Sequence, residues 1–436
     1  MKIFFISSIL VLLSIQIKAQ NFWEKLDSPT SKNLNAIVFL DSLNGWAGGD
    51  SALIIHTSDG GESWDTQYSN DSLDILNFCF LNDQIGFASA SSSRYEPYGS
   101  FLIRTTNGGT NWSAENMRIG VLFVNYVTFL DTSIGFAAGY PGFFLRTTDG
   151  GSTWRQVELD SSIFAGYPPQ SIKFYNENYG FACGGLRDAA GVVWRTSDRG
   201  ISWQTVVDTS SAPAEPLYTI QIFDSLHVLM LGGDPEYGAS TMRTTDGGNS
   251  WESSLLGILW YPKEIRFRTV SEGWAPLGPR GTFLFTADSG NSWSEIPTPD
   301  SINITNISFP DSLHGFAVGN YGSIIKYVYQ IPNRTDSPVE RNKTYFLAQN
   351  FPNPFNPSTK IEYHIPAAGI VRLKVYDITG REVATLVNEY KESGSYTIDF
   401  STDNLSAGFK HLSSGIYFYR LEAGNYTEVK KMVLLR

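Results

Sequence analysis

Cysteine is scarce in this chain, with only two among 436 residues. Each lies in an apolar stretch, Cys79 within residues 78–80 and Cys183 within residues 181–183. Small exported domains that depend on disulfides are rich in cysteine, whereas a chain of this length can bury a large apolar core without them. We therefore predict two free, buried thiols and no disulfide between them.

Basic residues are also fewer than acidic residues. The chain holds 32 Lys and Arg against 43 Asp and Glu, which gives a formal net charge of −11. Because a phosphate backbone is bound by basic patches, this balance argues against a nucleic-acid partner. The five histidines are scattered, and no His-Glu-x-x-His or Cys-x-x-Cys spacing, phosphate loop or dinucleotide fingerprint occurs. The sequence therefore predicts no metal site and no cofactor.

Long apolar runs are absent as well, except at the N-terminus. Lys2 precedes an almost wholly apolar segment over residues 3–17, and Ala19 is a small residue of the kind found at signal cleavage sites. The run is shorter than the ~20 residues that span a bilayer comfortably. We therefore predict a signal peptide over residues 1–19 and a mature chain with no transmembrane segment.

An internal repeat dominates what remains. The phrase Thr57–Trp64 reads Thr-Ser-Asp-Gly-Gly-Glu-Ser-Trp, and its relatives end at Trp112, Trp154, Trp203, Trp251 and Trp293. A second phrase, Gly45–Gly49, has relatives that begin at Gly86, Gly135, Gly180, Gly273 and Gly315, with a degraded copy over residues 228–233. Seven copies at a nearly constant period indicate a repeat architecture.

Each repeat divides into four short strand-like segments. In the first repeat these are residues 34–40, 45–49, 53–57 and 63–67, with turn-forming residues between them. Four short strands in each unit of about 45 residues are typical of the blades of a propeller. We therefore predict an all-β fold, with a seven-bladed β-propeller over residues 20–330.

The last repeat lacks a Trp phrase, and this predicts how the ring closes. The N-terminal segment 22–26 contains Trp23, which precedes Trp64 by 41 residues and so keeps the period. We expect this segment to form the missing strand of the seventh blade, because the pairing would remove an exposed sheet edge.

The acidic or amide residue of each Trp phrase suits a tight turn. Its side chain can accept backbone N–H bonds, the glycines tolerate positive φ, and the Trp can cover the apolar face of the blade. Because identical chemistry recurs around the ring, we interpret these residues as structural. They are Asp59, Trp64, Asn107, Trp112, Asp149, Trp154, Asp198, Trp203, Asp246, Trp251, Asp288 and Trp293.

The phrases together resemble those of the Asp-box (BNR) propellers, and in particular the subgroup like the photosystem II assembly and stability factors. The resemblance covers residues 22–329. The motif, called the Asp-box below, is specific for the fold and carries little information about function.

The composition changes after residue 330. Residues 331–345 are polar and contain two prolines, so we interpret them as a linker. Residues 346–436 show periodic short strands without a helical pattern, which predicts a small C-terminal β-sandwich.

Four phrases of this tail resemble the type A C-terminal sorting domain of the type IX secretion system. They are Asn350–Pro357, Val375–Val383, Ser414–Leu421 and Lys430–Leu435. The resemblance implies a Bacteroidetes-type bacterium, handling by the type IX machinery and passage through the periplasm. It also implies removal of the tail and a mature protein that is released or attached to the outer cell surface.

An enzyme is the main alternative to a binding protein, because sialidases and other glycosidases use Asp-box propellers. A sialidase-like site needs converging arginines and a nucleophile pair. Arg104, Arg146, Arg195 and Arg243 occupy the same position in successive repeats, so they should radiate around the ring. We therefore predict no catalytic residues and favour binding, with an extracellular glycoside hydrolase of the sialidase-like class as the alternative.

Residues that break the repeat are the better guide to ligand choice. They fall in the loop between the second and third strand of each blade and in the segments that cross between blades. Aromatic side chains with Arg are typical binding anchors. The predicted ligand-binding residues, for an unknown extracellular glycan or protein, are Arg94, Tyr95, Tyr98, Tyr167, Arg187, Tyr237, Trp260 and Tyr261.

Deletion of residues 344–436 should leave the propeller in the periplasm, because the sorting signal is then lost. Cell fractionation with an antibody against the propeller measures this, and the full chain is the control. Surface or medium protein that still carries residues 344–436 would contradict removal of the tail.

Overall fold

A computed structural model describes most of the chain. The chain divides into two compact units, Met1–Tyr329 and Gln330–Arg436. The described residues are 22–92, 98–119, 123–162, 166–207, 213, 215–328, 345–347, 350, 355, 357–402, 412–413, 415–424 and 426–434. The predicted signal peptide and almost all of the predicted linker lie outside them.

The described residues of the first unit are mostly in short strands and turns, with three single-turn 3₁₀ segments at Asp50–Ala52, Pro299–Ser301 and Asn320–Gly322. In chain order the strands are β1 (Trp23–Leu26), β2 (Leu34–Phe39), β3 (Gly45–Gly49), β4 (Ile54–Thr57), β5 (Asp65–Tyr68), β6 (Asp74–Phe80), β7 (Gly86–Ser92), β8 (Gly99–Thr105), β9 (Ser113–Asn116), β10 (Phe123–Phe129), β11 (Gly135–Tyr140), β12 (Phe143–Thr147), β13 (Arg155–Gln156), β14 (Glu158–Leu159), β15 (Pro169–Phe174), β16 (Gly180–Leu186), β17 (Ala190–Thr196), β18 (Ser202–Thr205), β19 (Leu217–Ile222), β20 (Val228–Asp234), β21 (Gly238–Thr244), β22 (Glu252–Leu255), β23 (Arg266–Phe267), β24 (Gly273–Pro276), β25 (Thr282–Thr286), β26 (Ser294–Pro297), β27 (Ile304–Ser308), β28 (Phe316–Gly319) and β29 (Ile324–Tyr327).

Within the described residues these strands form seven sheets. Six follow the chain as antiparallel meanders, which begin at β2, β6, β10, β15, β19 and β23. Strand β14 adds to the outer edge of the fourth sheet by pairing in parallel with β18. The seventh sheet has the order β1-β29-β28-β27. We number these sheets as blades 1 to 7, and the all-β propeller predicted from the repeats is confirmed as a fold class.

The N-terminal strand pairs with the last strand of blade 7. The register runs from Trp23 opposite Tyr327 to Leu26 opposite Ile324. Trp23 is 3% exposed, and its ring centroid lies 5.1 Å from that of Phe283 in blade 6. The first strand therefore both completes blade 7 and packs against its neighbour, as the repeat period predicted.

Polar side chains on the inner strands join neighbouring blades. Asn77 Oδ1 accepts the N–H of Val127 at 2.8 Å, and Thr219 Oγ1 accepts the N–H of Ile265 at 3.1 Å. Ser308 Oγ accepts the N–H of Phe39 at 3.0 Å, which joins blade 7 to blade 1. Each bond satisfies a backbone donor on the innermost strand of the next blade.

Both cysteines are free, as predicted. Cys183 is fully buried in the core of blades 3 to 5. Cys79 is partly buried, and its Sγ accepts the N–H of Phe129 at 3.2 Å, so this thiol takes part in the same contacts between blades. Burial raises the pKa of the Cys79 thiol, which keeps it protonated and unreactive.

The Asp-box turns lie at one end of the blades, which we call the box face. In the first copy, Asp59 accepts the N–H of Ser63 at 2.9 Å and the hydroxyls of Thr57 and Ser63. These bonds lower the pKa of Asp59 to about 2. The turn also bonds to the turn between the first two strands of its own blade, through Gly60 N–H to Leu43 O at 3.0 Å.

The second Asp-box differs in a chemically consistent way. Asn107 stands where the others carry Asp, and Asn111 stands where Ser or Thr is usual. Asn107 Oδ1 still accepts the N–H of Asn111 at 2.9 Å. Asn111 has no hydroxyl to donate to the side chain at position 107. Asn107 needs no such donor, because its amide has one acceptor oxygen where a carboxylate has two.

The described residues of the C-terminal unit form two sheets. Its strands are β30 (Phe346–Leu347), β31 (Ser358–Ile365), β32 (Gly369–Asp377), β33 (Glu382–Lys391), β34 (Gly394–Ser401), β35 (Gly415–Ala423) and β36 (Tyr426–Leu434). The orders are β30-β31-β34 and β33-β32-β35-β36. Buried residues from both sheets, such as Ile361 and Val375, form one apolar cluster, so the two sheets pack as a sandwich. Among the described residues of the whole chain, no helix is long and apolar enough to cross a membrane.

Replacement of Trp23 by alanine should lower the free energy of unfolding by about 3–5 kcal/mol. The variant loses a large buried indole side chain at the point where the propeller closes. Urea unfolding of the full chain measures this. Lys25→Ala is the matched control in the same strand, since Lys25 pairs with Asp300 on an exposed surface and should cost less than about 1 kcal/mol. Equal stability of Trp23→Ala and the parent would disprove the closure.

Candidate functional site

The end of the propeller opposite the box face carries the loops that differ between blades, and we call it the loop face. The loop between the second and third strands and the crossing segment meet there. In blade 5, for example, the Gly233 N–H donates to Pro216 O at 3.0 Å. The crossing segments are longest at the entries to blades 4, 5 and 6, where aromatic and acidic residues approach each other.

The loop face over blades 4 to 6 carries three stacked rings, which we call the aromatic strip. It consists of Tyr218, Tyr261 and Trp260. The centroids of Tyr218 and Tyr261 are 4.6 Å apart with planes at 24°, and those of Trp260 and Tyr261 are 5.9 Å apart at 14°. The guanidinium of Arg187 from blade 4 interacts electrostatically with Tyr218 and Tyr261. Burial raises the pKa of Tyr218, so its hydroxyl stays protonated.

Tyr218 reaches this position because β19 contains an irregularity. The pairing of β19 with β20 shifts register between Leu217 and Thr219, which leaves Tyr218 without a direct partner in the ladder. A bulge of this kind re-aims one side chain out of the regular alternation. The same shift occurs in the inner strands of blades 1, 2, 3, 4 and 7, where the bulged residue is not aromatic.

Beside the strip lies an acidic cavity of about 530 Å³ between blades 4 and 5. Its lining includes Asp188, Glu215, Tyr237 and Ser240. The carboxylate oxygens of Asp188, Glu215 and Asp234 lie within 4.8 Å of one another. Glu215 and Asp234 are each only 3% exposed. Burial, followed by the charge of the other two carboxylates, raises the pKa of Glu215.

A second cavity of about 220 Å³ lies on the other side of the strip. Trp260, Tyr261, Gly278 and Asn303 contribute to its lining. Asn303 Oδ1 is buried, and no donor reaches it in the part of the chain that the structure describes. A buried amide oxygen without a donor is costly, so this atom is available to a ligand N–H or O–H.

The structure brings together half of the predicted ligand-binding residues. Arg187, Tyr237, Trp260 and Tyr261 lie around the strip and the acidic cavity. Tyr98 is exposed on blade 2, and Tyr167 packs against the core where the chain enters blade 4. Arg94 and Tyr95 lie outside the described residues.

Two important residues were missed by the sequence analysis. Tyr218 and Glu215 both lie at the entry to blade 5, in a segment that resembles an ordinary crossing connection. The signals that could have found them are present in the sequence. Tyr218 is the only aromatic residue at its position among the seven inner strands, and Glu215 is a lone acid between two prolines, Pro213 and Pro216, separated from the first by Ala214.

The arginines of the repeated position do not form a sialidase-like triad. Arg195 donates to Gly247 O at 3.1 Å, and Arg243 donates to Ser289 O at 2.9 Å. Each of these two arginines thus bonds to the Asp-box turn of the following blade. Arg104 instead pairs with Glu115 within its own blade at 3.0 Å. Three separate destinations on the box face exclude convergence on one substrate carboxylate.

A charged cluster on the inner strands is a further candidate for chemistry. Glu264 Oε1 lies 2.6 Å from Arg266 and 3.5 Å from Lys173, which reaches it from blade 4. Burial, followed by the charge of Arg266, lowers the pKa of Lys173 to about 8. Thr219 also donates to Glu264 at 3.4 Å. Glu264 is thereby satisfied by its neighbours, and we interpret the cluster as a contact between blades.

Comparison with known proteins agrees with both halves of the chain. Residues 15–121 and 81–221 match the family model of photosynthesis system II assembly factor YCF48, and residues 349–435 match that of the secretion system C-terminal sorting domain. The chain joins a Ycf48-like propeller to a sorting domain. It is 25% identical over 326 residues to the photosystem II assembly lipoprotein Ycf48 of Synechococcus sp. (strain CC9902), covering 70% of this chain and 88% of that protein.

Solved structures share the propeller fold. A structure of YCF48 bound to D1 peptide has a TM-score of 0.54 at 20% identity, covering 71% of this chain and 97% of that one. The GH74 xyloglucanase from Xanthomonas campestris has a TM-score of 0.55 at 13% identity, covering 71% of this chain and 54% of that one. At these identities the likeness concerns the fold alone. The sorting domain indicates secretion to the cell surface through the type IX system.

Replacement of Glu264 by glutamine should destabilise the propeller by about 2 kcal/mol, because Lys173 and Arg266 then face each other without a counter-charge. Chemical unfolding measures the loss. Glu115→Gln is the control, since its partner Arg104 is partly exposed and the change should cost less than about 1 kcal/mol. Equal effects of the two variants would contradict the interpretation of the inner cluster.

Proposed function

We propose that this protein is a binding module displayed at or released from the cell surface, and that its loop face over blades 4 to 6 holds a polypeptide partner. The observation that carries the proposal is the aromatic strip with Arg187 beside its end. Stacked aromatic rings offer contact area at low cost in conformational entropy, and a guanidinium adds directed hydrogen bonds.

The surroundings of the strip suit a polypeptide. Asn303 Oδ1 offers a buried acceptor for a backbone N–H, within the small cavity that Trp260 and Tyr261 also line. A side chain of the partner can lie against the strip while its backbone donates to Asn303. A propeller of the same fold, YCF48, has been solved bound to D1 peptide, and this ligand of the same chemical class supports the proposal.

The alternative of a glycoside hydrolase fits the carboxylates less well. Retaining glycosidases hold their two carboxyl groups about 5–5.5 Å apart, and inverting ones hold them farther apart to admit water. The carboxylate oxygens of Asp188, Glu215 and Asp234 all lie within 4.8 Å, and two of these side chains are almost fully buried. Because two of the three acids are almost fully buried, we favour binding over bond cleavage at this face.

The partner is first identified by screening the full chain against peptide and glycan libraries. Trp260→Ala and Tyr261→Ala should then each weaken the binding free energy by about 1–3 kcal/mol. Isothermal titration calorimetry measures the affinity. Tyr175→Ala is the matched control, because this exposed Tyr lies in the turn after β15 on the box face and should have no effect.

Two outcomes would overturn this proposal. Binding of a glycan that both variants abolish would replace the polypeptide by a carbohydrate. Turnover of a glycoside that is lost in Glu215→Gln would replace binding by hydrolysis.

A further inference from the structure

Two carboxylates that line the acidic cavity, and a third that lies close to them, come from three separate pieces of chain. Asp188 lies in the turn between β16 and β17, Glu215 in the segment that crosses into blade 5, and Asp234 at the end of β20. They are brought within 4.8 Å only by the packing of blade 4 on blade 5. Such a grouping of like charges is unfavourable unless something of opposite charge compensates it.

The described side chains compensate only part of this charge. Arg187 interacts electrostatically with Asp234 and Glu215. Three carboxylates and one guanidinium together carry a charge of −2. One divalent cation would balance this charge.

Ser240 supplies an independent indication of a ligand. This residue of β21 lines the same cavity as Asp188 and Glu215 and is 2% exposed. Its Oγ is buried and has no hydrogen-bond partner among the described residues. A buried hydroxyl normally has a partner, and a bound ion or an ion-bound water in the cavity would supply the one that this oxygen lacks.

We propose that the acidic cavity is a calcium site. Its ligands are carboxylate oxygens from Asp188, Glu215 and Asp234, with Ser240 Oγ bonded to the ion or to one of its waters. The donors are hard oxygens without nitrogen or sulfur, which disfavours zinc and copper. Calcium accepts six to eight oxygens in irregular geometry, whereas magnesium demands a near-ideal octahedron that three loops of different origin do not offer.

The site does not depend on the identity of the partner, but it would brace the same loops. Arg187 precedes Asp188 directly, and the segment that supplies Glu215 continues into the strand that carries Tyr218. A cation that ties these pieces together would fix the end of the aromatic strip. Metal binding is therefore measured on its own, without any peptide or glycan.

The test uses the full chain stripped of metal with a chelator. Terbium, which replaces calcium and emits when nearby tyrosines are excited, should bind with sensitised luminescence, and calcium should displace it with a dissociation constant below about 1 mM. Calcium should also raise the melting temperature, while magnesium at the same concentration should do so far less.

Three variants decide whether the carboxylates are the ligands. Glu215→Gln and Asp188→Asn should each weaken calcium binding at least tenfold, and Asp188 is exposed enough that its variant folds. Ser240→Ala should weaken binding less while leaving the metal-free chain as stable as the parent. Glu236→Gln is the matched control, because this exposed acid lies two residues from Asp234 and outside the cluster, and it should bind calcium normally.

Absence of sensitised luminescence in the parent chain would overturn the proposal, as would unchanged calcium affinity in Asp188→Asn. Equal loss in Glu236→Gln would overturn it too, because binding would then reflect surface charge alone. Preference for magnesium over calcium would overturn the choice of ion. None of these results bears on the partner of the aromatic strip, which Trp260→Ala tests separately.

Discussion

Each blade obtains from its neighbour the hydrogen bonds that its own sheet cannot supply. The innermost strand of a blade has one unpaired edge, and side chains such as Asn77, Thr219 and Ser308 accept backbone N–H groups on the next blade's inner strand. These bonds fix the order and spacing of the blades. Everything on the loop face depends on this, because the aromatic strip and the acidic cavity are assembled from loops of different blades.

The repeat predicted far more of the fold than of the site. The period of the Trp phrases indicated four strands in each unit, and the place of Trp23 in that period predicted the closing pair of β1 and β29. For the site, departure from the repeat pointed to Arg187, Trp260 and Tyr261. Periodicity says which residues differ, but it does not say which of them meet. Asp188 meets Glu215 and Asp234 only because blade 4 packs on blade 5, and Tyr218 is placed on the loop face by a bulge that the strand pattern does not reveal.

The Asp-box turns contribute to stability in a way that depends on acidity. Hydrogen bonds from hydroxyls and backbone N–H groups lower the pKa of Asp59 and of Asp149 to about 2. A carboxyl group whose pKa is lower in the folded chain stabilises the fold above its ordinary pKa, and this contribution is lost as the pH falls from about 4 towards 2. The box face therefore keeps its turns in any mildly acidic medium.

The pairing of β1 with β29 also determines when the ring can form. Trp23 and Tyr327 are partners in one sheet although almost the whole propeller lies between them in the chain. Contacts so distant in sequence form late, since the intervening loop must first be closed at an entropic cost. A chain that emerges from its N-terminus cannot complete this blade until its last repeat has also emerged. The same strand that stabilises the finished ring thus delays its closure until the whole propeller has been synthesised.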